Sequence, residues 1–287
     1  MGSACEITAA FPGPVLAEQA LAAAVAEVER IEAKYSRYRP DSIISRINTQ
    51  SSHGHEVDCD AETLMLLDHA DHLFHLSQGL FDITAGVFRQ VWNFSLAKVP
   101  TQQDIDAIRH RVGWQRVTRT AGKIRLNAGM ELDFGGFGKE YAVDRAADFL
   151  TQKGSMHGMV NLGGDVRIIG PKPDGSPWGV GIRDPRQPTQ LLASIPLSAG
   201  GLATSGDYER YFELNRTRYC HIINPQTGYP VSEWQSVTVI APTALAAGSL
   251  STIAMLKESA GIPFLKTHAP GFLAVDQHKR IYTHQGV

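Results

Sequence analysis

The chain has 287 residues, of which 43% are hydrophobic and 20% charged, and its formal net charge is −2. This composition predicts a globular protein with a sizeable core. Lys and Arg are scattered rather than gathered in a stripe, so we expect no nucleic-acid partner. Because no apolar stretch reaches the roughly 20 residues that cross a bilayer, we also expect no membrane span. Cys5, Cys59 and Cys220 are too dispersed for a disulfide framework or a zinc site, and they predict reduced thiols in a cytoplasmic protein.

The first half of the chain carries mainly helical patterns. Apolar residues recur at helical spacing from Leu21 to Ile31, which predicts a long helix. The predicted elements are a strand, four helices and a hairpin: strand 4–10, helices 16–35, 62–77, 84–92 and 103–110, and hairpin strands 115–117 and 124–126.

The second half begins with a helix and continues mainly as strands. The segment 139–152 places Ala142, Val143, Ala146 and Leu150 on one helical face, which predicts that this helix covers a sheet. The later elements are strands, a helix and a final pair of strands: strands 158–161, 166–169, 178–182, 191–197, 208–212, 218–222 and 236–240, helix 245–257, and strands 272–275 and 280–282. We therefore predict an α+β fold of mixed sheets flanked by helices, in one continuous domain over residues 1–287.

A glycine-rich turn is the most informative segment of the chain. It reads ELDFGGFGKEYAVDR over residues 131–145 and joins a strand end to a helix start. Gly135, Gly136 and Gly138 let the backbone turn sharply near a ligand, while the helix start and Lys139 present positive potential to an anion. The segment is typical of a phosphate-binding turn. It is equally typical of a tight strand-to-helix turn with an exposed lysine.

Four other segments combine glycine with polar or charged residues in the same way. They are FDITAG at 81–86, NLGGD at 161–165, TSGDYER at 204–210 and HIINPQTGYP at 221–230. In this order, and together with the glycine-rich turn, they resemble the ApbE family. Members of that family use FAD to attach FMN to a threonine or serine of an acceptor protein. The resemblance extends from Met1 to about residue 254.

The resemblance implies a set of flavin-binding residues. Lys139 would hold the phosphates, and Asp144 would bind a polar group of the flavin ring or the ribose. Residues 84–86 would lie beside the adenine, and residues 204–206 would line the flavin pocket. The full set is Met1, Thr84, Ala85, Gly86, Lys139, Asp144, Thr204, Ser205, Gly206 and His221. Two members also have a structural explanation, since Thr84 could cap a helix and Asp144 could pair with Arg145.

Charged residues near these motifs have structural explanations too. We expect Asp165 to cap or pair rather than to catalyse. Tyr208, Glu209 and Arg210 fit a hydrogen-bonded cluster at a strand start as well as they fit the pocket.

His221 is the candidate general base among the 11 histidines. It begins the segment that resembles the family's His-Ile-x-Asp-Pro-x-Thr-Gly, and imidazole titrates near neutral pH. The alternative is a histidine that is simply satisfied within the core. His69, His72 and His75 have helical spacing, but no further His or Cys cluster completes a metal site, so we assign them to the surface.

The sequence departs from the family pattern at the expected metal site. The resemblance implies a Mg²⁺ site made of a carboxylate and a threonine from a helix start and a main-chain carbonyl of the glycine-rich turn. Thr252 and the Gly138 carbonyl are present, but Gly248 stands in place of the aspartate and Asn224 replaces another one. We hypothesise that Glu140 restores the missing charge, which predicts a metal site of Gly138, Glu140 and Thr252. Alternatively, Glu140 is an acid favoured by the dipole of the first helical turn.

These features favour an enzyme, an Mg²⁺-dependent FMN transferase that uses FAD, releases AMP and modifies a Thr or Ser of an acceptor flavoprotein. The alternative is a non-catalytic protein that binds FAD or FMN and has lost the metal site. A dinucleotide binder of the NAD type is disfavoured, because no strand is followed by Gly-x-Gly-x-x-Gly with an acidic partner. The resemblance also leaves open an exported lipoprotein whose leader has been removed.

Overall fold

The computed structural model describes residues 4–51 and 54–284. Met1, one of the predicted flavin-binding residues, lies outside the described residues. Within the described ranges, no helix combines the length and the apolar character that crossing a bilayer requires.

A seven-stranded antiparallel sheet forms the centre of the described structure. In spatial order its strands are β1 (Cys5–Ala9), β5 (Gly158–Leu162), β6 (Asp165–Gly170), β9 (Gly200–Gly206), β12 (Trp234–Ala241), β13 (Gly271–Asp276) and β14 (Ile281–His284). Successive side chains of a strand enter different cores. In β13, Phe272 and Ala274 belong to one core, whereas Leu273 and Val275 belong to the other. Both faces of this sheet are therefore covered.

Helices cover one face of the sheet. The α-helices of the described ranges are α1 (Pro14–Tyr35), α2 (Ile43–Ser51), α3 (Ala61–Ser77), α4 (Gln102–Arg109), α5 (Gly138–Gln152), α6 (Ala244–Lys257) and α7 (Gly261–His268). Short 3₁₀ helices cover Ala85–Gln90, Trp114–Arg116 and Glu258–Ala260. Helix α5 packs on β5 and β6, α6 packs on β9 and β12, and α1 packs on α5.

Smaller antiparallel sheets complete the described structure. They are β2 (Val57–Asp58) with β4 (Lys123–Arg125) and β3 (Thr118–Thr120), β7 (Trp178–Arg183) with β8 (Leu191–Leu197), and β10 (Tyr211–Leu214) with β11 (Thr217–Cys220). The β7–β8 hairpin shares a core with Val166 and Ile168 of β6, so it covers the face of the main sheet opposite the helices. Strand β11 ends directly before His221 and so fixes the position of that residue.

Two side chains fix the start of α6 against α5. Thr243 is the N-cap, and its Oγ1 accepts a hydrogen bond from the Ala246 amide at 3.1 Å. The carboxylate of Asp144 in α5 accepts from the amides of Ala244 at 2.9 Å and Leu245 at 2.8 Å. Three amides that a helix start leaves without partners are thereby satisfied. These bonds hold the two helices in one relative position.

The predicted α+β class is confirmed, and the main corrections concern α2, α7 and β9, which the sequence pattern does not predict. Strand β9 reads GGLATSG, a composition that disfavours strands. Packing requires its glycine at 201, since a Cβ there would lie 2.3 Å from the Ala244 amide nitrogen of α6. Close approach of helix and sheet thus overrides local propensity. The strand predicted over 208–212 is displaced to β10.

Candidate active site

A cleft of about 620 Å³ lies between the glycine-rich turn, the end of β9, the segment after β11 and α6. Its volume suits a small molecule of cofactor size. Most residues predicted to bind FAD or metal line it: Ala85, Gly86, Gly138, Lys139, Glu140, Thr204, Ser205, Gly206, His221 and Thr252. Segments that are far apart in the sequence therefore meet in one place, as their shared chemistry predicts.

The glycine-rich turn brings the start of α5 to the cleft. A Cβ on Gly136 would lie 2.9 Å from the Phe81 ring, so a side chain there would force that ring to move. The Gly138 amide donates to the Phe134 carbonyl at 2.7 Å, which closes the turn. Phe137 at the N-cap of α5 provides no capping side chain. The positive end of the helix dipole is therefore directed at the cleft.

Lys139 is held in its charged form at the cleft wall. Its Nζ lies 2.6 Å from Oδ2 of Asp165, whose other carboxylate oxygen accepts from the Thr204 amide at 3.2 Å. Burial acts to lower the pKa of Lys139, but the charges of Asp165 and Glu140 outweigh it and raise the pKa above its usual value. The expectation that Asp165 pairs is confirmed. Lys139 can therefore present a fixed positive charge to a ligand.

Glu140 is buried between α5 and α6. It is 8% exposed, and its Oε2 has no hydrogen-bond partner within the described ranges. A Cβ built on Gly248 of α6 would lie 2.6 Å from Cγ of Glu140 and 2.7 Å from its Oε1. Burial and the neighbouring Asp165 carboxylate raise the pKa of Glu140. Glu140 does stand in the first turn of α5, where the helix dipole favours an acid. That preference explains neither why the side chain is buried nor why it packs against Gly248.

Hydroxyl groups line the α6 side of the cleft. The Ser205 Oγ of β9 lies 2.8 Å from Ser251 Oγ and 2.9 Å from Thr252 Oγ1. Ser251 in turn donates to the Gly248 carbonyl at 3.0 Å. On the sheet side, Thr204 Oγ1 lies 2.8 Å from Thr238 Oγ1. Oxygen donors from α6 and β9 thus stand beside one another.

The donor atoms of Gly138, Glu140 and Thr252 fit a hard divalent cation. All three residues line one cleft, their oxygens are of the carboxylate, hydroxyl and main-chain carbonyl types, and Glu140 has an unpartnered buried oxygen. Mg²⁺ binds through one or two carboxylates and keeps several water or phosphate ligands. No group of three or more His, Cys, Asp or Glu side chains with metal-site geometry occurs among the described residues.

His221 stands at the cleft wall opposite the glycine-rich turn. Its amide donates to the Arg210 carbonyl at 3.0 Å, which fixes the backbone after β11. The residue is exposed, but desolvation by the cleft walls lowers the pKa of its ring. The hydrogen bond with the Arg210 backbone acts against this, while the charges of Arg210 and Lys139 lower the pKa further. The ring is therefore neutral at pH 7 and can accept a proton.

Thr84 does not belong to the cleft lining, although its neighbours Ala85 and Gly86 do. It is fully buried, its Oγ1 donates to Asp82 at 2.6 Å, and the same oxygen accepts from the Gly113 amide at 2.8 Å. Its hydroxyl therefore holds two loops together, which agrees with a structural role, and the contact of Thr84 with the adenine stays a prediction.

Asp144 is also outside the cleft lining. Both of its oxygens accept amide hydrogen bonds at the start of α6. These bonds agree with a structural role for Asp144, although its partners are amides rather than Arg145, which contacts Glu27 at 3.2 Å. The flavin contact of Asp144 stays a prediction.

Asn224 forms a turn rather than a wall of the cleft. Its Oδ1 accepts from the amides of Gln226 at 2.9 Å and Thr227 at 3.3 Å. Asp and Asn both form this kind of turn. The structure therefore assigns the Asn224 side chain to the turn, and Asn224 is not in the cleft lining.

Sequence reasoning missed a cationic and aromatic part of the cleft. Arg37 Nη1 lies 2.5 Å from Asp133 Oδ2, and its guanidinium lies 5.0 Å from the centre of the Tyr38 ring. Arg210, which the sequence also allows as a structural residue, lies 5.5 Å from the Phe94 ring centre. All five residues line the cleft. The adjacent Arg and Tyr after α1 were the available signal, because such pairs suit flat, anionic ligands.

The three histidines of α3 have different environments. His72 and His75 are exposed, as predicted. His69 is not a surface residue, since its Nε2 lies 3.2 Å from Ser249 Oγ of α6 and its ring meets Phe137 edge to face. It packs behind the cleft and is not part of the cleft lining.

Comparisons with known proteins agree with this arrangement. A profile of the ApbE family matches residues 1–275. The FAD:protein FMN transferase of Haemophilus influenzae is 32% identical over 234 residues, which are 77% of this chain and 68% of that protein. The crystal structure of the ApbE protein of Thermotoga maritima superposes with a TM-score of 0.88 at 32% identity, over 99% of this chain and 94% of the other. The flavin transferase ApbE of Vibrio cholerae gives a TM-score of 0.87 at 27% identity, over 100% and 95%. The chain belongs to the ApbE family.

Proposed function

We propose that this chain is an FAD:protein FMN transferase that requires a divalent metal such as Mg²⁺. It would cleave the pyrophosphate of FAD, join FMN to a Thr or Ser hydroxyl of an acceptor flavoprotein, and release AMP. The observation that carries the proposal is the cleft, where Lys139, the oxygen donors of Glu140 and Thr252, and His221 stand together. The Haemophilus influenzae relative, an FAD:protein FMN transferase, has the same activity.

The start of α5 would hold the pyrophosphate. Lys139 is charged because Asp165 stabilises its cationic form, and the uncapped end of α5 adds the positive end of a helix dipole. Both features act before the substrate arrives, so little reorganisation is needed during the reaction. The aromatic and cationic side chains at the other end of the cleft are suited to the flat rings of FAD.

Gly138, Glu140 and Thr252 would hold the metal ion. A bound Mg²⁺ would neutralise negative charge that develops on the leaving phosphate. The residues present fit this role, because they line one cleft and Glu140 has a buried oxygen without a hydrogen-bond partner, which in the ionised carboxylate would be the kind of ligand that Mg²⁺ prefers.

His221 would accept the proton of the acceptor hydroxyl. Its lowered pKa keeps the ring neutral near pH 7, which is the form that a general base requires. The acceptor oxygen would form a bond to the FMN phosphorus while the bond from that phosphorus to the AMP phosphate breaks. The bonding electrons leave with AMP, and the proton moves to the imidazole.

The alternative of a flavin-binding protein without chemistry depended on two missing carboxylates. Asn224 is a turn residue and removes nothing from the cleft. Glu140 places a carboxylate beside Gly248. Neither departure therefore argues against catalysis.

The test is to incubate the purified chain with FAD and an acceptor domain that contains a target threonine. Chromatography then measures the AMP released from FAD. We expect AMP to form in the presence of Mg²⁺, and we expect EDTA to abolish its formation. Tight binding of FAD with no AMP in any condition would support the non-catalytic alternative. An acceptor with its threonine changed to alanine is the matched control for transfer as opposed to hydrolysis.

A further inference from the structure

We propose that Glu140 supplies the carboxylate of the metal site, and that Gly248 is needed because it leaves room for that side chain. The inference depends on the proposed function, since it assigns the ligand of the metal that the reaction would use. It differs from that proposal by coupling two residues on neighbouring helices.

The first observation is spatial exclusion. The Glu140 side chain passes over the Cα of Gly248 so closely that a Cβ there would stand 2.6 Å from its Cγ and 2.9 Å from its Cδ. Any side chain at position 248 would have to displace Glu140. Glycine is unfavourable inside a helix because of its conformational freedom, so its presence within α6 needs a packing reason. The Glu140 side chain is that reason.

The second observation is a buried carboxyl oxygen without a hydrogen-bond partner. Glu140 is more than nine-tenths buried, and its Oε2 has no hydrogen-bond partner in the described chain. The ammonium of Lys139, its neighbour in sequence, pairs with Asp165 instead. A buried carboxylate oxygen without a partner is costly unless a cation or a proton occupies it. The residue also lines the cleft in which the substrate would bind.

The third observation is that residues with other oxygen donors line the same cleft as Glu140. Thr252 lies one turn beyond Gly248 on the same helix, and its hydroxyl contacts Ser205 at 2.9 Å. The Gly138 residue stands two positions before Glu140 and lines the same cleft. A carboxylate from α5, a hydroxyl from α6 and a backbone carbonyl form a donor set that a hard divalent cation accepts. The competing occupant of Oε2 is a proton shared with the nearby Asp165.

Mn²⁺ is a suitable probe, because the paramagnetic resonance signal of the free ion falls when it binds. We expect the unaltered chain to bind Mn²⁺ in competition with Mg²⁺. Glu140→Gln keeps the shape of the side chain but removes the charge, and we expect it to weaken Mn²⁺ binding by about tenfold or more. Asp148→Asn, which removes an exposed carboxylate from the same helix, is the matched control and should bind Mn²⁺ normally.

Exchanging the side chains at positions 140 and 248 tests whether the two positions share one space. Gly248→Asp alone should lower the thermal midpoint, because its Cβ collides with Glu140. Glu140→Ala alone should lose Mn²⁺ binding. The double variant Glu140→Ala with Gly248→Asp returns a carboxylate to the same space from the other helix, so we expect Mn²⁺ binding to recover and the midpoint to rise above that of Gly248→Asp.

The outcomes separate this inference from the proposed function. Normal Mn²⁺ binding by Glu140→Gln would overturn the assignment of Glu140 alone and would favour the shared proton. A double variant that binds Mn²⁺ no better than Glu140→Ala would overturn the exchange of positions. Absence of Mn²⁺ binding by the unaltered chain, even at millimolar metal, would contradict the metal requirement of the proposed function itself.

Discussion

Helices α5 and α6 both supply residues to the cleft, but their starts are built in opposite ways. Helix α5 starts after a glycine-rich turn without a capping side chain, and Lys139 and Glu140 in its first turn line the cleft. The start of α6 is capped by Thr243 and by Asp144, and its cleft residue Thr252 lies two turns further on. An open helix start can bind a ligand, whereas a capped one is used to place the helix.

This difference helps to explain which polar residues near the glycine-rich turn serve the ligand and which serve the fold. Asp144 and Lys139 lie on one helix only five positions apart. The carboxylate of Asp144 is fully used by two amides, while the ammonium of Lys139 meets one carboxylate and still lines the cleft. A polar side chain near a glycine-rich motif can therefore bind a ligand only if its hydrogen-bonding atoms are not all paired within the protein.

The largest expected effect in this comparison is at the open helix start. Lys139→Met removes the fixed charge and leaves Asp165 buried without its cation. We expect the rate of AMP release to fall by about 100-fold or more, the usual effect of losing one preorganised charge-stabilising group. Lys153→Met, which removes an exposed lysine just past the other end of α5, is the control. Equal rates for Lys139→Met and the unaltered chain would show that this helix start does not bind the phosphates.

The next effect concerns the proton acceptor. We expect His221→Asn to lower kcat of transfer by about 100-fold, within the range of general-base contributions. Because desolvation lowers the pKa of the ring, the neutral base persists as the pH falls below its ordinary pKa of about 6.5. The rate of the unaltered chain should therefore stay level from about pH 8 to about pH 6 and decline only in more acidic solution. A steep loss already between pH 7 and pH 6 would contradict the low pKa, and a variant with unchanged kcat would exclude His221 as the base.

A smaller effect is expected at the capped helix start. Asp144→Asn removes the charge that two amides of α6 now meet, and we expect a loss of about 1 kcal/mol in the free energy of unfolding. The KM for FAD should change little, because the side chain is not in the cleft lining. Chemical denaturation and FAD titration measure the two quantities. A large rise in KM with unchanged stability would support the flavin-contact interpretation.

The smallest effect is expected at the turn that begins with Asn224. Asn224→Asp should leave the Mg²⁺ dependence of AMP release within about twofold of the unaltered chain, since either side chain accepts the turn amides. A variant that needs much less Mg²⁺ would show that a carboxylate at this position does reach the metal.

Sequence reasoning predicted the parts of the site whose local motif already determines their geometry. The glycine-rich turn, the end of β9 and the segment starting at His221 carry their own turn chemistry, and all three meet in the cleft. The same reasoning did not predict the structural bonds of Thr84 and Asp144, because their hydrogen-bond partners, Gly113 and Ala244, are distant in sequence. Strand β9 was missed for a related reason, since its glycines match a helix packed across it.

Gly248 is the most instructive residue in this respect. In the sequence it is a missing ligand, and only the fold shows that the Glu140 side chain occupies the space beside it. The glycine at position 248 and the glutamate at position 140 are related through contact between two helices, and no local sequence pattern records that contact. The sequence could suggest Glu140 as a metal ligand from its charge and position, but it could not predict that the side chain packs against Gly248.

The most direct test of the account is the intact mass of an acceptor domain after incubation with this chain, FAD and Mg²⁺. The account predicts a mass increase equal to one FMN joined through a phosphoester, located on a Thr or Ser and absent when EDTA is present or when Lys139→Met replaces the unaltered chain. An acceptor of unchanged mass, in the presence of a chain that binds FAD and Mn²⁺, would contradict the proposed transfer.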